Sequence, residues 1–364
     1  MKTENIHIGI VGAGTIGSTI YQLLNSTGCG YKISIADQIE KHNIFINDDD
    51  YYKLDITKPT YDGHCTQFNQ FVNGKTLIVN ALPFHQNINL YKACFELGVP
   101  YFDLSEDDAL DKFIDSLKSD KIPFTMPHCG LAPGMSTVVA NDLLKDIENP
   151  TSVKIRVGAL SQNASNKLRY YTSWSGEGLV NEYLGDCQVV RKGKYDIVDA
   201  LSGYEKITID GREFEAFHTS GGIGSLARTL AESDFSGDID YKTLRRIGHH
   251  DYVDFLFNDL QLDQSSLTQI FKTCIPQTRK DEVIIFVSVS NETEDVITYH
   301  KVFKPASING RNFTAIEYTT AIGLLAMVEM YVDKMLPQTG YVKQEEADWQ
   351  KVKKTMYGVY YRQG

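Results

Sequence analysis

A chain of 364 residues, 42% hydrophobic and 23% charged, can bury a large core and should divide into two domains. Its 47 acidic residues outweigh 36 basic ones for a net charge of −11, and the basic residues form no cluster, which argues against a nucleic-acid partner. The six cysteines, Cys29, Cys65, Cys94, Cys129, Cys187 and Cys274, lack CxxC or Cys/His ligand spacing, so they read as reduced thiols with neither disulfide nor metal.

The start, MKTENIHIGI, holds no apolar segment between a basic start and a cleavage site and runs straight into a strand, so a cytoplasmic protein without a membrane segment is expected. From Ile6 to Gly17 an isoleucine- and valine-rich run passes into Gly12-Ala13-Gly14-Thr15-Ile16-Gly17, and Ser18 to Leu24 continue with helical spacing. Strand, glycine turn and helix follow in the order a dinucleotide pyrophosphate requires: Gly12 for the tight turn, Gly14 for backbone approach to phosphate, Gly17 for close helix packing. The helix N-terminus, with Thr15 and Ile16 in its first turn, offers unpaired N–H groups to the anion. Tyr31 to Ala36 alternates as a second strand, and Asp37 closes it twenty residues after Gly17, where an acid accepts from a ribose 2′-hydroxyl and repels a 2′-phosphate. The expected cofactor is therefore NAD.

Gln38 to Tyr51 is expected to hold a short helix and Tyr52 to Ile56 a third strand. Thr76 to Leu82 is a fourth strand ending at Pro83, which makes Asn80, Ala81 and Leu82 candidates to line the nicotinamide ribose at the carboxyl edge of the sheet. A helix over Asn87 to Leu97 stops at Gly98; Tyr101 to Leu104 is a strand with Asp103 at its acidic end; Ala109 to Leu117 is a helix and Ile122 to Met126 a strand. Alternation of this kind implies parallel pairing with right-handed crossovers, a doubly wound Rossmann sheet over residues 1–130. His128 to Ser136 (HCGLAPGMS), with Pro133 suited to a first helical turn, leads into a helix from Met135 to Leu144, and Leu131 and Pro133 are assigned to the cofactor side.

From Val153 the pattern turns antiparallel. Val153 to Leu160 alternates, Ile207 to Ile209 meets Arg212 to Phe217 across Asp210-Gly211, and Val283 to Ser290 pairs with Val296 to Phe303. Residues 131–313 are thus expected to form an α+β catalytic domain with an antiparallel or mixed sheet. Between its strands lie three polar segments expected as loops: Tyr171 to Tyr183, Phe214 to Leu226 and Asp238 to His250. A helix over Phe313 to Leu336, with capping-box spacing at Thr314 and Glu317, is apolar all round and should be buried; residues 314–364 are expected to return to complete the first domain.

GAGTIG, NALPFH, GLAPGM, SWSGEGLVNEY, EAFHTSGGIGSL and YKTLRRIGH, in this order over nearly the whole chain, resemble the saccharopine dehydrogenase-like family of amino-acid oxidoreductases. The resemblance implies a Rossmann domain, an α+β catalytic domain and reversible hydride transfer at a carbon bearing an amine. EAFHTSGG, APGM and KTLR look like the lysine 6-dehydrogenase branch, whereas the GLDPG motif of the saccharopine reductases carries an acid where this chain has Ala132. Saccharopine reduction and a catalytically silent dinucleotide-binding protein are the alternatives. Among candidate catalytic residues, His218 in the family-like loop is the first choice of base, because hydride removal needs a neutral amine. Arg245 matches the arginine of the motif and suits an α-carboxylate by its planar fork, with Arg246 pointing elsewhere. Glu177 and Asp103 are candidates to hold a substrate ammonium. A small amino-acid substrate and a homodimer are the expected partners.

Overall fold

The computed structural model describes residues 6–363 except 42, 55–65, 106, 118–121 and 294, so Ile56 and Cys65 lie outside the described residues. The chain divides into two compact units, one of Met1–Leu131, Ile308–Arg311 and Thr320–Tyr360, the other of Ala132–Ser307, Asn312–Thr319 and Tyr361–Gly364.

In the first unit β1 (His7–Val11) is followed by α1 (Thr15–Ser26), β2 (Lys32–Asp37), β3 (Tyr51–Lys53), α2 (Thr66–Val72), β4 (Leu77–Asn80), α3 (Asn87–Leu97), β5 (Tyr101–Phe102), α4 (Asp108–Ser116) and β6 (Thr125–Met126). All six strands pair in parallel in the order β3-β2-β1-β4-β5-β6. This is the doubly wound order, in which the chain reverses direction between β1 and β4 and opens a crevice at their carboxyl ends. Ile8, Ile10, Ile35, Leu77, Ile78 and Val79 are all fully buried, as the uninterrupted apolar runs of a sheet covered on both faces require. Gly98, at φ +67°, takes the left-handed conformation that stops α3 where the sequence marks it. The segment Gln38 to Tyr51 holds only a 3-10 turn at Asp48–Asp50, and the third strand begins at Tyr51 and is three residues long. Beyond β6 the segment at Gly340–Val342 bonds to Thr125 and continues the sheet.

The second unit opens with α5 (Met135–Leu143) and β7 (Ser152–Ser161), then α6 (Gly176–Leu184), the hairpin β8 (Asp186–Arg191) and β9 (Lys194–Asp199), the hairpin β10 (Glu205–Ile209) and β11 (Arg212–His218), α7 (Leu226–Ala231), β12 (Asp238–Arg245), α8 (His249–Asp254), α9 (Gln264–Thr273), β13 (Asp281–Ser290) and β14 (Val296–Phe303). Its sheet runs β10-β11-β12-β7-β13-β14, with β8 and β9 joined at β12. Only β12 and β7 are parallel; the other pairs are antiparallel, so the sheet is mixed. Two hydrophobic clusters define its two faces. One gathers Tyr170, Leu179, Tyr183, Phe217, Phe257 and Phe271; the other gathers Leu160, Ile209, Phe214, Ala216, Leu244 and Ile284.

Two of the three segments expected as loops are corrected by this sheet. Asp238–Arg245 is a strand paired on both sides, and the start of the Phe214 to Leu226 segment lies in β11 (Arg212–His218), the strand expected over Arg212 to Phe217. In the third, Gly176–Leu184 is a helix capped by the Ser175 hydroxyl on the Gly178 N–H. The β8–β9 hairpin, turning at Lys192 and Gly193 with φ +50° and +73°, has no counterpart in the sequence reading.

The last long helix, α10 (Ala315–Val332), starts with the expected capping box: Thr314 N–H bonds Glu317 at 2.8 Å and Glu317 N–H bonds the Thr314 hydroxyl at 3.2 Å. Length and composition alone would let α10 cross a membrane, yet 78% of it is buried in the protein, which makes it a core helix. Within the first unit its Tyr331 ring lies 4.4 Å from that of Phe124 and 5.8 Å from that of Phe102.

Candidate functional site: a dinucleotide cradle and a buried arginine cluster

The glycine turn between β1 and α1 has the shape its sequence implies. Gly12 sits at φ +104°, and a Cβ there would meet the Ala81 carbonyl at 2.6 Å. A Cβ on Gly17 would stand 1.8 Å from the Gly12 carbonyl oxygen, so α1 can approach the turn only without a side chain. Gly14, the N-cap of α1, has open space where its Cβ would be and no side chain capping the helix. A backbone left bare at an uncapped helix N-terminus fits a pyrophosphate. Thr15 is exposed and Ile16 half-buried on this first turn. Asp37, at the carboxyl end of β2, accepts from the Ala13 N–H at 2.7 Å through Oδ2 and from the Ile39 N–H at 3.3 Å through Oδ1. Those bonds aim the carboxylate at the cradle, where an adenosine ribose would meet it. Ala81, a candidate to line the nicotinamide ribose, lies against both Gly12 and Gly17.

Asn80 and Asp103 are held inside the unit. The Asn80 amide donates to Asn87 and to the Tyr101 hydroxyl, both at 2.8 Å, and its oxygen accepts from the Leu82 N–H at 3.0 Å. Tyr101 in turn donates to Asp103 at 2.9 Å, whose other oxygen accepts from the His128 and Ser105 N–H groups. Burial raises the Asp103 carboxyl to about 6, against the pull of His128 and these donors. The network fixes the loops after β4, β5 and β6; the Asp103 side chain is 1% exposed residue-wide and its oxygens are committed to it. Leu131 is buried, and Pro133 precedes α5 instead of starting it, because Gly134 is the N-cap. Ser136, in the first turn of α5, has a buried hydroxyl without a hydrogen-bond partner among the described residues, as does Thr219.

In the second unit Arg245 ends β12 and is 2% exposed. Its Nε donates to the Tyr183 hydroxyl at 2.9 Å and its Nη1 to Thr243 Oγ1 at 2.5 Å and the Leu244 carbonyl at 3.0 Å. The guanidinium lies 5.3 Å from the Tyr170 ring centre and 5.7 Å from that of Tyr183. His249 Nδ1 faces the Leu168 carbonyl at 2.9 Å and must donate to it, so Nε2 accepts from Tyr183 at 2.9 Å. Burial, aided by the Arg245 charge, lowers the His249 pKa to about 3 and keeps this ring neutral. Glu182 on α6 brings Oε2 to 3.5 Å from Arg245 Nη2, and burial raises its carboxyl to about 7 although Arg245 opposes the rise. Glu182, Tyr183 and His249 were missed in sequence, although all three stand inside the quoted motifs.

His218 lies elsewhere. Side chains alternate along a strand, and partners across a ladder share a face. His218 is opposite Lys242 and Arg245 opposite Glu215, and positions 242 and 245 differ by three, so His218 and Arg245 occupy opposite faces of the sheet. His218 Nδ1 contacts the Ser202 hydroxyl at 3.1 Å and Nε2 contacts Asp240 at 3.4 Å. Its surroundings are an ion network: Arg156 binds Asp240 at 2.7 Å and Glu205 at 2.5 Å, and Lys242 binds Glu205 at 3.2 Å. Burial would raise the Asp240 carboxyl, but the bond from His218 and the Arg156 charge hold it well below the usual carboxylate range. Glu177 is a surface acid, 48% exposed and paired with Lys272. Arg246 pairs with Glu282 at 2.5 Å, away from Arg245.

A doubly wound sheet with a bare glycine cradle and a positioned acid on β2, followed by a mixed-sheet unit with a buried arginine, defines a two-domain oxidoreductase that uses a nicotinamide dinucleotide. Residues 8–123 match the family model described as the saccharopine dehydrogenase NADP binding domain, and residues 130–359 match that of the saccharopine dehydrogenase C-terminal domain. The chain therefore belongs to the saccharopine dehydrogenase family and is an oxidoreductase of amino acids. Among solved structures, apo saccharopine dehydrogenase (L-Glu forming) from Saccharomyces cerevisiae shares the fold over 96% of this chain and 97% of its own, with a TM-score of 0.71 at 12% identity. An engineered D-amino acid dehydrogenase bound to NADP+ matches at a TM-score of 0.49 and 9% identity over 96% of both chains. The DAP dehydrogenase of C. glutamicum in complex with DAP matches at 0.45 and 9% identity, over 96% of this chain and 95% of its own.

Proposed function

We propose that the protein oxidises the ε-amine carbon of lysine with NAD, transferring a hydride from that carbon and giving an imine that water hydrolyses to ammonia and an aldehyde. Bound at the cradle, NAD would supply the hydride acceptor. The chain's own contribution is to hold the pyrophosphate on the Gly12–Gly17 backbone, the adenosine ribose on Asp37 and the amino acid through Arg245.

The observation that carries the reading is the Asp37 carboxylate, fixed by the Ala13 amide beside the bare Gly14. It supports NAD over NADP, because a ribose hydroxyl can donate to this acid and a 2′-phosphate would be repelled by it. Of the cations that follow, Lys41 and Lys53 are already paired with Asp48 and Glu40, so neither is an unpaired cation for a 2′-phosphate. Ala132, which replaces the acid of the saccharopine-reductase motif, supports lysine over saccharopine.

The test is a panel of L-lysine, ornithine, saccharopine and related diamines with NAD and with NADP, followed by the absorbance of the reduced nicotinamide. Reduction of NAD with lysine is expected. Turnover of saccharopine in place of lysine, or a preference for NADP, would overturn the corresponding half of the proposal, and cofactor binding without any turnover would leave a silent dinucleotide-binding protein.

A further inference from the structure

Resting on that reading of the substrate as an amino acid, we infer that Glu182 and Arg245 together form a receptor for the zwitterionic α-amino-acid head, Arg245 Nη2 taking the carboxylate and Glu182 the ammonium. The oxidised amine then has to be the distal one. The α-nitrogen of such a ligand is engaged by Glu182 as a cation, and a protonated amine has no lone pair with which to expel a hydride.

The geometry sets this pair apart from the arginine–carboxylate pairs of the sheet that have a buried member; the exposed Arg191–Asp238 pair, at 3.9 Å, also lacks a hydrogen bond. Arg156–Asp240, Arg156–Glu205, Arg212–Glu282 and Arg246–Glu282 are all hydrogen-bonded, at 2.5–3.0 Å. Arg245 and Glu182 stand at 3.5 Å without a hydrogen bond between them. Arg245 spends Nε and Nη1 on Tyr183, Thr243 and Leu244, which lock the guanidinium plane, while Nη2 bonds to none of the described residues. The Glu182 carboxylate likewise has no hydrogen bond to a described residue. Its side chain is 27% exposed against 2% for Arg245, so the pair opens on the glutamate side. Two opposite charges, adjacent, almost desolvated and each with unspent hydrogen-bonding capacity, match a ligand carrying both opposite charges on one carbon. A lone carboxylate would satisfy Arg245 and leave Glu182 facing a second anion.

The experiment uses L-norleucine, which has the head but no distal amine, with hexanoate and hexylamine, which keep only one charge each. Binding to the full chain in the presence of NADH is measured by calorimetry, so the result does not depend on turnover or on lysine being the substrate. The wild type should bind norleucine at least about tenfold more tightly than either single-charge analogue, the loss expected for one charge-assisted bond. Glu182→Gln should weaken norleucine about tenfold or more and strengthen hexanoate, whose carboxylate no longer faces a second anion, and Arg245→Lys should weaken both. Equal affinity of the three ligands for the wild type overturns the inference, as does norleucine binding that Glu182→Gln leaves untouched. The ligand series alone decides the matter if a variant does not fold. Norleucine binding without lysine turnover would sustain the receptor and sink the proposed reaction.

Discussion

Replacing Asp37 by Ser removes the charge that ranks the two dinucleotides while keeping a small polar group. A hydrogen bond to a charged acceptor contributes about 1.5–3 kcal/mol, so NAD should bind roughly 10- to 150-fold more weakly. For NADP the same change removes a like-charge contact, which at about 5 Å and an effective dielectric of about 20 is worth on the order of 3 kcal/mol, and its affinity should rise. Loss of the 2.7 Å bond from Ala13 to Asp37 loosens the cradle for both cofactors alike, so the readout is the ratio of the two dissociation constants. Isothermal titration of wild type and Asp37→Ser with NAD and NADP should show that ratio moving by roughly two orders of magnitude or more toward NADP. If both affinities fall by the same factor, Asp37 only props the turn, and the assignment of NAD fails.

Gly17→Ala places a Cβ 1.8 Å from the Gly12 carbonyl oxygen, a backbone clash no rotamer relieves. Overpacking of this kind costs about 3 kcal/mol or more, and both dinucleotide binding and the melting temperature should drop; wild-type affinity would refute the close helix approach. His218→Ala should lower stability by about 1–3 kcal/mol through the loss of a buried partner for Asp240, with KM for lysine within about twofold of wild type. A hundredfold fall in kcat in the folded variant would instead return His218 to the reaction. The pH dependence of KM follows from Glu182, which faces Arg245 and acts electrostatically on Tyr170 and Tyr183. Its folded pKa is raised to about 7, so above that pH it is an anion and below it neutral. KM for lysine should rise as pH falls through 7, and the rise should vanish in Glu182→Gln; a parallel profile in that variant contradicts the assignment.

The first unit was readable because its signals are local. Gly98 stops α3 by its own backbone preference, and the spacing from Gly17 to Asp37 is that of one βα unit ending on the next strand; the α10 cap in the second unit, Thr314 with Glu317, is local in the same way. In the second unit the deciding forces are non-local. DIDYKTLR has charges at alternate positions and reads as a polar loop, yet it is a central strand, because Arg156 and Glu205 from other strands neutralise Asp240 and Lys242. Because that strand was unseen, so was its alternation, and His218 and Arg245 were placed at one site although the pleat points them to opposite faces. Glu177 and Glu182 differ in helix phase. Glu177 is in the first turn of α6 and meets Lys272 at the surface, while Glu182, more than one turn later on the same helix, meets Arg245.

The most direct test of the account is the fate of deuterium in NAD reduction by the full chain. L-lysine deuterated at the ε-carbon should deliver its label to the nicotinamide, and L-lysine deuterated at the α-carbon should deliver none. Label arriving from the α-carbon, or no reduced NAD with lysine at all, would contradict an enzyme that anchors the α-amino-acid head and oxidises the distal amine.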